Sequence, residues 1–156
     1  MMIGDGMMEN SLNLLRKTAR IHKQQLMQLT KGENLTISEW ELLNNVTVDQ
    51  NTQEILSGIM DLDTSTLSRQ LKNLVTKEML VKEATGKDHR QLIYTITKKG
   101  EDAKAQIEAN VKDLNTLIFE HWSDEEQQLL QILLNRLVKS VDRIDDSLEK
   151  SFKLKN

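Results

Sequence analysis

One short run of period-two sequence interrupts a chain that otherwise repeats with the spacing of helices. Leu80 and Lys82, then Leu92, Tyr94 and Ile96, alternate about a polar tip running from Gly86 to Arg90, which predicts a β-hairpin. Just before it, Leu67, Leu71 and Leu74 step by four and three residues, and Asp63 stands where its carboxylate can cap that helix. Just after it, Thr97 and Gly100 close the hairpin and a new helical pattern begins. One hairpin set among helices limits the fold to a mainly α domain with a small β appendage.

The helices can be read from their starts and their seams. Leu12, Leu15, Ala19, His22, Leu26 and Leu29 form a narrow apolar seam on a first long helix, which breaks near Gly32 to Leu35. Thr36 with Glu39 is a capping-box signature for a second helix carrying Ile37, Trp40, Leu43 and Val46. Asn51 with Glu54 repeats the signature ahead of a shorter helix, and Asp63 opens the next. Three helices within about forty residues, the last two joined by a tight turn, match a helix-turn-helix. Beyond the hairpin, Ala103, Ile107, Val111, Leu114 and Ile118 mark a long helix, and Ser123 with Glu126 caps a last one. That last helix carries a second seam through Leu130, Leu134, Leu137, Val141, Ile144 and Leu148. Two seams are more apolar surface than one small module covers, so the terminal helices are expected to pair across a homodimer.

Charge is distributed unevenly. The 156 residues carry a net charge of −3, yet Thr66 to Gly100 holds eight Lys or Arg against three Asp or Glu. On the helix before the hairpin, inward Leu67, Leu71 and Leu74 turn Ser65, Arg69 and Lys72 outward, with Thr66, Ser68, Gln70 and Asn73 on the flanks. Such a face suits phosphate and base-edge contacts, and an arginine there can bind guanine through two hydrogen bonds. At the hairpin tip, Arg90 is placed to enter a narrow minor groove while Lys87 lies near the backbone. Asp88 is expected to hold Arg90 extended through a charge-assisted hydrogen bond. The combination fits a device that grips double-stranded DNA in both grooves.

Other functions lack their residues. With no cysteine, thiolate metal sites and thiol redox sensing are excluded, and His22, His89 and His121 show no paired ligand spacing. Five aromatic residues are too few for a stacking platform on single strands. Neither a phosphate loop nor a convergent nucleophile and base is present, so no enzyme and no cofactor is expected. No apolar run approaches the roughly 18 residues that span a bilayer, and Met1 to Gly6 lacks the apolar core of a signal peptide, which predicts a cytoplasmic protein.

From Asp63 to Gly100 the sequence resembles the recognition helix and wing of MarR-type regulators. The wing signature is met by Asp88, Arg90, Tyr94, Ile96, Thr97 and Gly100. Glu78 departs from it, standing where the family often ends the recognition helix with glycine, and His89 replaces a common arginine. The resemblance implies a winged helix-turn-helix over residues 36–100, flanked by dimerisation helices over 9–31 and 101–150 in one compact domain. It further implies a homodimeric transcriptional repressor on a pseudo-palindromic operator. A small-molecule effector would belong to that scheme, a phenolic compound being one candidate, with His22, Trp40 and Tyr94 as a candidate pocket. The rival reading is a helical protein-interaction module that uses the winged fold as a scaffold, but such a surface has no need of the basic helix and wing.

Overall fold

The computed structural model describes residues 2–88, 90–144 and 148. Six helices and one hairpin follow in order: α1 (Met2–Gly32), α2 (Ile37–Asn45), α3 (Gln53–Met60), α4 (Thr64–Thr76), β1 (Leu80–Thr85), β2 (Gln91–Ile96), α5 (Lys98–Ile118) and α6 (Asp124–Asp142). Two compact units result, one through Asp113 and one from Leu114 onward.

The first unit is built on an aliphatic core. Leu42, Leu43, Leu56, Leu67, Leu71, Leu74, Leu80 and Ile107 are fully buried, so α2, α3, α4, β1 and α5 all contribute to a single cluster. Helix starts follow capping chemistry. Thr36 and Glu39 form the expected capping box on α2, and Asp63 caps α4 by accepting the Thr66 N–H. The cap of α3 is Thr52, whose side chain accepts the Ile55 N–H, and not Asn51 as the sequence suggested. Asn51 is occupied elsewhere: its carbonyl accepts the Tyr94 N–H at 2.8 Å, tying β2 to the loop before α3.

The hairpin pairs antiparallel, with Leu80 opposite Ile96 and Lys82 opposite Tyr94. Its base is locked to the turn after α4 and to α5 by three contacts that explain the closing motif. Thr97 N–H donates to Met79 O at 3.0 Å, and the Thr97 hydroxyl donates to Glu78 O at 2.6 Å while accepting the Gly100 N–H at 3.1 Å. Gly100 is required because a Cβ there would lie 2.3 Å from Met79 O.

Helix α4 ends through a strained residue. Glu78 has φ 61°, the left-handed conformation that glycine adopts without cost. Its side chain is exposed and, among the described residues, reaches only Lys99, at 3.9 Å, a pairing of little energetic weight. Glu78→Gly is therefore expected to stabilise the protein by about 1 kcal/mol, read as a rise of roughly 3 °C in the thermal midpoint. An unchanged or lower midpoint would refute the strain argument.

The second unit contains the end of α5, the turn and α6. Ser123 and Glu126 form a capping box, and Phe119 meets Trp122 edge to face with ring centroids 5.4 Å apart. No residue of α6 is buried within the chain, and Leu129, Ile132, Leu133, Leu134, Val138 and Val141 are all exposed. On α1 the expected seam is likewise open at Leu12 and Leu15 and only half-buried at Leu26 and Leu29.

Candidate nucleic-acid interface

Helix α4 is fixed at its N-terminus by its cap and the preceding turn. The Asp63 carboxylate accepts the Thr66 N–H at 2.7 Å and the Ser65 hydroxyl at 2.8 Å, and these bonds hold its pKa below the usual carboxylate range. Ser57 donates to Leu62 O at 2.8 Å and the Gln53 amide to Thr64 O at 3.3 Å, closing the turn between α3 and α4. With Leu67, Leu71 and Leu74 buried, the helix cannot rotate about its axis, so its outer face is defined.

Ser65, Ser68, Arg69, Lys72 and Asn73 are exposed on α4, whereas Thr66 and Gln70 are half-buried. Their availability differs. The Ser65 hydroxyl serves the cap, the Asn73 amide donates to Glu39 Oε1 at 3.4 Å, and Gln70 Oε1 is enclosed without a partner. Among the described residues, Ser68, Arg69 and Lys72 are left without a hydrogen bond or ion pair, Arg69 being drawn only by its charge to the Asp63 carboxylate. Two cations and a hydroxyl on one exposed helical face can contact phosphates and base edges together.

At the wing, Gly86 turns with φ 89°, and Lys87, Asp88 and Arg90 are exposed. His89 lies outside the described residues. Among the described residues no ion pair joins Asp88 to Arg90, so the bond expected between them is not formed. An exposed carboxylate and guanidinium are each well solvated, and an ion pair at the surface gains little over that hydration.

The three residues assigned to a candidate pocket have separate surroundings. Tyr94 is buried, its hydroxyl pKa raised by that burial, and it lines a cavity of about 450 Å³ with Val46, Val48, Asn51, Ile93 and Lys104. Neither His22 nor Trp40 lines that cavity. His22 is half-buried on α1, and Trp40 packs against the core with its indole N–H enclosed and without a partner among the described residues. Among the described residues no cluster of three His, Asp or Glu side chains is placed to hold a metal ion, and no helix is long and apolar enough to cross a membrane.

Sequence reasoning missed Lys77. Its ammonium meets the buried Glu39 at 2.6 Å and donates to Asn34 O at 2.8 Å, behind the outer face of α4. Thirty-eight residues separate Lys77 from Glu39, and no local pattern announces such a pairing.

Three packed helices with a hairpin leaving the third define a winged helix-turn-helix. The family described as Transcriptional regulator SarA/Rot matches residues 24–107, and this chain belongs to that family. Among curated proteins, the HTH-type transcriptional regulator YxaD of Bacillus subtilis is 35% identical over 86 residues, covering 54% of this chain and 59% of YxaD. The chain thus spans less than two thirds of the curated relative that it matches. Solved structures share the fold at lower identity. The MarR family transcription regulator SP03579 superposes with a TM-score of 0.76 at 18% identity, over 92% of this chain and 97% of that one. The S. aureus MepR–DNA complex gives 0.65 at 18% identity, over 82% and 94%.

Proposed function

We propose that this protein is a cytoplasmic, sequence-specific regulator of transcription that binds double-stranded DNA as a homodimer, with no enzymatic activity. The observation that carries the reading is α4, whose apolar side is wholly buried while Ser68, Arg69 and Lys72 stand exposed and a basic wing follows it. MepR, which shares the fold, has been solved on DNA, and a like use of α4 and the wing here would set α4 in the major groove. Residues 36–100 would then form the DNA-binding lobe, and the exposed seams of α1 and α6 would join two copies. Repression follows if the operator overlaps a promoter. The cavity beside Tyr94 is where a small effector would be sought, since it touches both the wing strand and the loop before α3.

Two substitutions separate base reading from backbone binding. Arg69→Ala is expected to lose about 1–3 kcal/mol of discrimination between the operator and an altered sequence. Arg90→Ala is expected to weaken binding to all duplexes alike and to reduce the salt slope by about one per protomer. Gel shifts at several salt concentrations measure both. Unchanged affinity and slope in the two variants would remove the assignment.

A further inference from the structure

Behind the exposed face of α4 lies an ion pair between the buried Glu39 and the half-buried Lys77, which capping does not require. Glu39 is only 4% exposed, and its Oε2 accepts both the Thr36 N–H at 3.2 Å and the Lys77 ammonium at 2.6 Å. Its Oε1 accepts the Asn73 amide at 3.4 Å, and Lys77 reaches on to Asn34 O at 2.8 Å. Asn34 sits in the turn that ends α1, held at φ 60°. The same capping box occurs on α6, where Glu126 caps Ser123 while exposed. A cap therefore works without burial or a cation, and the burial of Glu39 against Lys77 has another role.

That role follows from what the pair connects. One carboxylate and one ammonium join the turn after α1, the first turn of α2 and the last turns of α4. Leu67, Leu71 and Leu74 fix the rotation of α4 about its own axis, but greasy contacts resist sliding and tilting weakly, whereas a hydrogen-bonded ion pair has a definite direction. Arg69 lies eight residues from Lys77, about 12 Å along the helix, so a tilt of about 5° at the clamp moves Arg69 by about 1 Å. A two-bond contact to a base edge tolerates roughly half that displacement. We propose that Glu39 and Lys77 are positioning residues that set the tilt of α4 against α1 and α2, and through it the sequence specificity of the protein. This rests on the reading that α4 contacts DNA bases.

The test removes both charges at once, so that neither is left buried alone. In E39Q with K77M, the glutamine keeps an acceptor for Thr36 N–H and the methionine keeps most of the lysine stem. The full chain is compared with wild type in thermal unfolding, and in binding to a duplex selected by the wild type and to a scrambled duplex of equal length, across a salt series. The expected result is a midpoint within a few degrees of wild type, a scrambled-duplex affinity and salt slope unchanged, and affinity for the selected duplex lower by about tenfold, the scale of one lost base contact. Retained preference in a stable double variant overturns the proposal. So does a double variant that fails to fold, or one whose affinities for both duplexes fall together, since the pair is then a structural element only. A wild type that selects no duplex overturns the DNA reading itself and this proposal with it.

Discussion

Gly100→Ala is expected to destabilise the protein by about 3 kcal/mol and to lower its thermal midpoint by about 10 °C. The added Cβ would lie 2.3 Å from Met79 O and 2.8 Å from Ile96 Cγ1, well inside van der Waals contact. Neither neighbour can yield cheaply. Met79 O is a backbone atom that already accepts the Thr97 N–H, and Ile96 is the last residue of β2. Relief requires α5 to retreat from the hairpin base, which breaks the Gly100–Thr97 and Thr97–Glu78 hydrogen bonds together. Because those bonds orient the wing, DNA affinity should fall even at temperatures where the core is folded. Gly58→Ala is the matched control. Gly58 lies inside α3 with nothing within 4 Å of its would-be Cβ, so alanine there should stabilise by up to about 1 kcal/mol. Circular dichroism melts of the two variants test the sign of each, and a stable Gly100→Ala would contradict the steric account.

The contrast shows what a sequence reveals and what it conceals. Thr36 with Glu39, Ser123 with Glu126, and Asp63 were legible because a cap bonds to residues two or three positions away. Local chemistry also led to the hairpin, where alternation and Gly86 coincide. The cap of α3 was placed one residue early because Asn51 and Thr52 are both competent caps. Asn51 instead donates its side-chain amide to Val48 O, and its carbonyl accepts the Tyr94 N–H from forty-three positions along the chain. Gly100 could be named as a closing residue, but its necessity comes from Met79 O on another element.

The candidate site follows the same division. Periodicity set Ser65, Arg69 and Lys72 on the outer face of α4 with Ser68 on its flank, since only the positions of three leucines were needed. It could not see that Ser65 and Asn73 are engaged, or that Gln70 Oε1 is enclosed. Glu39 was read as a cap alone, because its second partner arrives from the far end of α4. A residue that satisfies one local rule offers no local sign of a second task.

If the proposed homodimer forms along the seam of α6, Leu134→Asp should leave a monomer at micromolar concentration. Leu134 lies mid-way along α6 on the apolar seam, and within one chain it is 38% exposed. If the seam is covered by a second copy, two-fold symmetry makes each substitution count twice. Losing a buried leucine costs about 1.5–3 kcal/mol per site, hence about 3–6 kcal/mol per dimer before any penalty for two buried carboxylates. That is a weakening of at least two to four powers of ten in dimer affinity. Operator binding should collapse with it, because a lone protomer reads one half-site and forfeits the gain from holding two at once. The core of the first unit should be unaffected, since Leu134 takes no part in its buried cluster. Trp40 reports on that core, and with Trp122→Phe as background its fluorescence should match wild type while sedimentation shows the smaller species. A variant that still sediments as a dimer would show that the seam of α6 is not the contact between copies. An unfolded one would instead mean that α6 is needed for the protomer's own fold.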